Sequence, residues 1–208
     1  MSFQLAIFDV DSTLIQQEVI DLLASYTEHG AEVSKITEAA MRGQLDFDQA
    51  LSQRVSLLEG LSESVFHEVL TQISFSNGAI ELIKELKSRE YKVGVVSGGF
   101  HNVIDLLVKD LHLDFVRANY LEVSDGIITG RTVGPIINRR AKAEALMEFS
   151  ARHQINLENT IAIGDGSNDI EMIKIAGLGF SYKGKPALND AADICITEDD
   201  LRLILNYL

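Results

Sequence analysis

The chain has 208 residues, 46% of them apolar, with 18 basic against 31 acidic side chains and a formal charge of −13. That balance argues against nucleic acid and against an anionic membrane surface as partners, and any anionic substrate needs a local cation. The length suits one full hydrophobic core with a modest inserted unit, and no run approaches the ~20 apolar residues of a membrane span.

Cys195 is the only cysteine, which excludes an internal disulfide and fits a reducing, cytoplasmic setting. The N-terminal apolar stretch has no basic flank and breaks at Asp9, unlike a secretory signal.

Phe3 to Phe8 is short, apolar and free of proline, the pattern of a buried strand. From Ile15 to about Ile73 the pattern turns helical. Val19, Leu22, Leu23 and Tyr26 set one face, and Phe47, Ala50, Leu51, Val55 and Leu58 set another. Asp46 and Ser62 are placed as N-caps. A bundle of some four helices is therefore expected over residues 15–74, inserted into a core made of residues 1–14 and 75–208.

Beyond Asn77 strands and helices alternate. Strands are expected at Lys92–Ser97, Phe115–Val123, Thr160–Ile163, Leu178–Phe180 and Asp193–Ile196. A hairpin turn at Ser124-Asp125-Gly126 adds Ile127–Thr129. Helices are expected at Gly78–Glu90, Gly99–Leu111, Asn138–Gln154, Asn168–Ala176 and Asp199–Tyr207. Such alternation predicts an α/β fold, a doubly wound parallel sheet covered on both faces, with the helical insert after its first strand.

Chemistry-bearing residues stand where strands end, and in an open α/β sheet ligands bind at the carboxyl ends of strands. Asp9 and Asp11 close the first strand, two residues apart and so facing the same way. Like charges that close raise a pKa unless a cation or a shared proton relieves them; an acidic turn with Ser12 or Thr13 as N-cap is the plainer alternative.

Lys92–Val96 runs into Ser97-Gly98-Gly99, which reads either as an anion site at a helix start or as a tight turn that needs glycine. Lys142 follows in a helix, with Arg139 and Arg140 as rivals that spacing does not separate from it. Thr160–Ile163 ends in Gly164-Asp165-Gly166-Ser167-Asn168-Asp169, which crowds Asp165, Asn168 and Asp169 into one loop. Converging carboxylates with no His or Cys cluster select Mg²⁺ over Zn²⁺, and Mg²⁺ with Lys, Ser and backbone N–H groups is the equipment of phosphoryl transfer.

These four segments in this order resemble the motifs of the haloacid dehalogenase-like superfamily, and the chain is most similar to its phosphoserine phosphatase family. The similarity extends to the insert, through Ala40-Met41-Arg42-Gly43-x-Leu45-Asp46-Phe47 and Arg54-Val55-x-Leu57-Leu58. The resemblance implies a Mg²⁺-dependent phosphatase that acts on O-phosphoserine and releases L-serine, the closing step of serine biosynthesis.

It implies Asp9 as nucleophile and Asp11 as acid and base, with Mg²⁺ on Asp9, the backbone carbonyl of Asp11, and Asp165. Ser97, Gly98, Lys142 and Asn168 would bind phosphate, supported by Asp169. Glu18 would face the substrate ammonium, Arg54 its carboxylate, and Met41 and Phe47 would close an apolar lid. Ser167 departs from the Ala common at its place, a small change. Two alternatives remain: the same chemistry on another phosphomonoester or with transfer to a second alcohol, and a Mg²⁺-binding receiver domain phosphorylated on Asp.

Overall fold

A computed structural model describes residues 3–208, so the first two residues of the expected core segment lie outside the described part. Leu5–Phe8 (β1) is buried along its whole length. Its side chains alternate, Leu5 and Ile7 entering one core and Ala6 and Phe8 the other. Four α-helices follow within residues 15–74: Val19–Ala24 (α1), Gly30–Met41 (α2), Phe47–Ser56 (α3) and Val65–Leu70 (α4). Their buried apolar residues, such as Leu23, Val33, Leu51 and Val69, are continuous with the core on the Phe8 side.

The remainder alternates as Ala79–Ser88 (α5), Lys92–Phe100 (β2), His101–Val108 (α6), Phe115–Ser124 (β3), Ile127–Val133 (β4), Arg139–Arg152 (α7), Thr160–Gly164 (β5), Ile170–Ile175 (α8), Leu178–Tyr182 (β6), Pro186–Asn189 (α9) and Ile194–Ile196 (β7). The expected last helix is a tighter 3₁₀ run, Leu201–Tyr207, capped by Asp200. The strands form one seven-stranded sheet in the order β4-β3-β2-β1-β5-β6-β7, parallel except for β4 against β3.

The β3–β4 turn has Asp125 at φ 51° and Gly126 at φ 79°, the left-handed pair that a two-residue hairpin needs. β1 lies between β2 and β5, the point where the strand order reverses, so the carboxyl ends of these three strands frame one crevice.

Two expectations are corrected. Ser97-Gly98-Gly99 is not a strand-to-helix turn: β2 continues through it to Phe100 and α6 starts only at His101. The glycines instead accommodate a bulge, seen as a register shift against β3 between Val96 and Phe100. Ser62 is not an N-cap, because α4 starts at Val65. Its segment pairs with the hairpin, through Gly60 N–H to Ile128 O (3.0 Å), Ile128 N–H to Leu61 O (2.8 Å) and Glu63 N–H to Gly126 O (2.8 Å).

Gly94 in β2 lets α7 close onto the sheet, since a Cβ there would meet Phe115 Cβ and Phe149 Cε1 at 2.8 Å. Gly94→Ala is expected to lower stability by about 1–3 kcal/mol, the range for overpacking, measured by urea unfolding.

Candidate active site

Asp9 follows β1 and its N–H still donates to Ile163 O (2.9 Å), which extends the parallel ladder by one residue and fixes the side chain at the sheet edge. Its Oδ1 accepts from Val10 N–H and pairs with Lys142 Nζ, each at 2.7 Å. Lys142 begins the second turn of α7, after the N-cap Asn138. It is completely buried and its ammonium also donates to Asp169 Oδ1 at 2.7 Å. Asp169 Oδ2 in turn accepts from the N–H groups of Asp165 and Gly166, each at 3.1 Å, which ties the loop after β5 to the same lysine.

Asp9, Asp165 and Asp169 each offer an oxygen within 4.8 Å of the others. Three buried carboxylates against one ammonium leave negative charge uncompensated. Burial, then Asp169, pushes the Asp9 carboxyl well above its usual range, with Lys142 only partly opposing. Burial, then Glu18 and Asp169, raises Asp165 likewise. Burial works against the Lys142 ammonium, but Asp169 and Asp9 outweigh it and raise its pKa. An all-oxygen donor set whose charge is relieved by a cation is what a metal ion fits.

Asp11 has a different set of partners. Its Oδ1 accepts from Val19 N–H (2.8 Å) and its Oδ2 from the Ser97 hydroxyl (2.9 Å). Ser97 Oγ itself accepts from Gly99 N–H at 2.8 Å. Burial raises the Asp11 carboxyl against the pull of Val19, Ser97, Lys142 and Arg54. Ser12, in the left-handed region at φ 57°, donates its hydroxyl to Glu18 Oε1 at 2.6 Å. Burial and then the Asp11 charge raise Glu18 to about 7.

Arg54 is 4% exposed, with Nε on Ala50 O (3.1 Å) and Nη1 on Thr37 Oγ1 (3.0 Å). Its pKa is lowered by burial and held up by Glu18, Asp21 and Asp11.

A cavity of about 30 Å³ gathers Asp9, Asp11, Glu18, Met41, Phe47, Arg54, Gly98 and Asn168. Ser97, Lys142, Asp165 and Asp169 stand behind this wall, joined to it through Asp9 and Asp11. Asn168 Oδ1 is buried without a partner among the described residues. Phe47 lies over Gly98, where a Cβ would meet its Cζ at 2.8 Å, and Met41 lies over Gly166.

Sequence reasoning missed Ile20 and Leu51 in the cavity wall. It also missed Thr37, which accepts from Arg54 and donates to Asp21 Oδ1 at 2.7 Å. Its available signal was a hydroxyl on the buried face of α2, with Val33 and Ala40.

The sequence profile of haloacid dehalogenase-like hydrolases matches residues 6–174. The chain belongs to the haloacid dehalogenase-like hydrolase family. Within the family it is 49% identical to a phosphoserine phosphatase of Streptococcus thermophilus over 98% of this chain and 95% of that one. It is 46% identical to a phosphoserine phosphatase of Mycobacterium tuberculosis over 99% of its own length but only 50% of that longer protein. A solved structure described as a phospho-aspartyl intermediate analogue of phosphoserine phosphatase superposes with a TM-score of 0.96 at 45% identity, covering 100% of both chains. Among the described residues no helix of this hydrolase is long and apolar enough to cross a membrane.

The raised carboxyls give the metal-free protein a defined pH response. A carboxyl whose folded pKa is raised contributes stability below its unfolded pKa and loses it as pH rises through the folded value. For Glu18 that window runs from 4.5 to about 7. The melting temperature in chelator is therefore expected to fall as pH rises across this window, and Glu18→Gln to flatten the fall. Added divalent cation is expected to restore more stability at pH 8 than at pH 5, because it favours the ionised cluster.

Proposed function

We propose that this chain hydrolyses O-phospho-L-serine to L-serine and phosphate through an aspartyl-phosphate on Asp9. The observation that carries this is one cavity lined at once by Asp9, Asp11, Glu18 and Arg54. A phosphomonoester bearing both an ammonium and a carboxylate matches that lining: Glu18 faces the cation and Arg54 grips the anion. The Thr37 hydroxyl holds one guanidinium nitrogen, and Nη2 has no partner among the described residues, so it is free for a ligand oxygen.

In the first step an Asp9 carboxylate oxygen attacks phosphorus. Oδ1 is engaged by Lys142 and Val10, so Oδ2 is the free nucleophilic atom. An Asp9–phosphorus bond forms, the bond to the serine oxygen breaks, and Asp11 gives that oxygen its proton. The raised pKa of Asp11 suits the donor role. In the second step the Asp11 carboxylate takes a proton from water, which attacks phosphorus and frees Asp9.

Lys142, Ser97, the Gly98 N–H and Asn168 steady the phosphoryl oxygens, with Asp169 holding Lys142 in place. Asp9 and Asp165, with the Asp11 carbonyl, would hold Mg²⁺, which would supply further charge neutralisation; a hard ion of this kind suits an all-oxygen set.

Residues 15–74 act as a cap over this site, with Met41 and Phe47 sealing it. The cavity's 30 Å³ is far less than a phosphomonoester occupies, so the cap parts to admit substrate and closes to exclude water. The exposed free thiol of Cys195 is at home in the cytoplasm.

Asp9→Asn is expected to lower phosphate release from phosphoserine by at least ~10³-fold, since it removes the nucleophile. Arg54→Lys is expected to lower kcat/KM on phosphoserine by ~10–100-fold, the worth of a lost charged hydrogen bond, and to lower it less on an aryl phosphate. Equal wild-type rates on sugar phosphates and phosphoserine would remove the roles of Glu18 and Arg54. Faster transfer to an added alcohol than to water would make the chain a phosphotransferase.

A further inference from the structure

The cap is attached to the rest of the molecule unequally on its two sides. Near α4 it joins the β3–β4 hairpin through the three backbone hydrogen bonds of Gly60, Ile128 and Glu63. At the α2–α3 end it meets the loop after β5 and the start of α7 through side chains. Asn138 Nδ2 donates to both oxygens of Asp48, at 3.0 and 3.1 Å, and Ser167 Oγ donates to Ala40 O at 3.1 Å. Between these contacts lies a cleft of about 350 Å³ lined by Gly43, Phe47, Asp48, Asn138, Ser167 and Asn168. Phe47 and Asn168 also line the catalytic cavity, so cleft and cavity adjoin at these two residues.

Asn138 has two tasks at once. Its Oδ1 accepts from Ala141 N–H at 3.1 Å and caps α7, four residues before Lys142. Its Nδ2 reaches across to Asp48, in the first turn of α3, the helix that begins with Phe47 and carries Arg54. The two partners fix the amide: Ala141 needs an acceptor and the Asp48 carboxylate needs donors. The carboxylate is thereby held in the N-terminal turn of α3 and against the cap of α7, where both helix dipoles favour it.

We infer, resting on the phosphatase reading above, that Asn138 is a positioning residue. Its side chain latches the cap shut through Asp48 while it caps the helix that aims Lys142 at Asp9. Closure over substrate and alignment of the phosphate-binding lysine are coupled through this one amide. Ser167 provides a weaker second latch on the far side of the cleft.

Substitutions separate the latch from the helix cap. Asp at position 138 still caps α7, but its charge repels Asp48. Asn at position 48 still accepts a hydrogen bond, and Ala does not. With phosphoserine as substrate, Asn138→Asp and Asp48→Ala are expected to raise KM by ~3–10-fold, the worth of one net hydrogen bond, with little change in kcat. Asp48→Asn is expected to return KM towards wild type. Asn138→Ala removes both functions and is expected to raise KM and lower kcat together.

Without substrate, backbone amides over residues 40–48 are expected to exchange hydrogen faster in Asn138→Asp and Asp48→Ala, while the melting temperature stays near that of wild type. Wild-type KM and wild-type exchange in both variants would overturn the latch and leave Asn138 a helix cap only. If the wild-type chain does not hydrolyse phosphoserine, the functional reading fails by itself, and the exchange measurement still decides the latch.

Discussion

Lys142 is the residue on which the site depends. Its ammonium is fully buried and lies 2.7 Å from both Asp9 and Asp169. A buried lysine is costly unless paired, and a buried carboxylate likewise. Here each makes the other tenable, and the pairing reaches from the end of β1 through α7 to the loop after β5. Loss of the lysine would leave two carboxylates facing one another without a counter-charge, so its removal disturbs structure as well as chemistry. Burial first, and then neighbouring carboxylates that one lysine does not offset, raises the carboxyls of Asp9 and Asp165, and a cation there would relieve them.

The sheet turns that cluster into a reaction site. β1, β2 and β5 are neighbours, so Asp9, Ser97 and Asp165 arrive side by side although 88 residues separate the first two and 68 the last two along the chain. Asp9 and Asp11 diverge in environment. Asp9 is held by the Lys142 ammonium and the Val10 N–H and lies near Asp165, whereas Asp11 is held by Ser97 and Val19. Two carboxylates two residues apart thus acquire different chemistry, one suited to attack and the other to carrying a proton.

The inserted helices complete the lining of the cavity. Arg54 is oriented by Thr37, which is in turn tied to Asp21, and Glu18 is oriented by Ser12. These contacts link three of the inserted helices to the turn after β1. The proposed substrate contacts therefore lie in a part of the molecule that supplies none of the seven strands.

The residues of the strand ends were legible in the sequence because their chemistry is local. An apolar run ending in Asp-x-Asp, a Ser-Gly-Gly and a Gly-Asp-Gly need only strand periodicity and the rule that ligands gather at strand ends. The choice of Lys142 over Arg139 and Arg140 was not local. The structure pairs Arg139 with Glu171 and Arg140 with Glu144 at the surface and buries only Lys142, because one position in that helical turn faces the core.

The extension of β2 through Gly98, the Asp21–Thr37–Arg54 chain and the Asn138–Asp48 contact were likewise beyond sequence reasoning. Each joins residues whose neighbours in sequence say nothing about their neighbours in space. By itself the sequence determined the α/β alternation, the helical insert and the reactive side chains, since these follow from periodicity and residue chemistry. Only the tertiary structure decided which cation enters the acidic cluster, which way each carboxylate turns and how the cap is fastened, since these depend on burial and on distances between segments far apart in the chain.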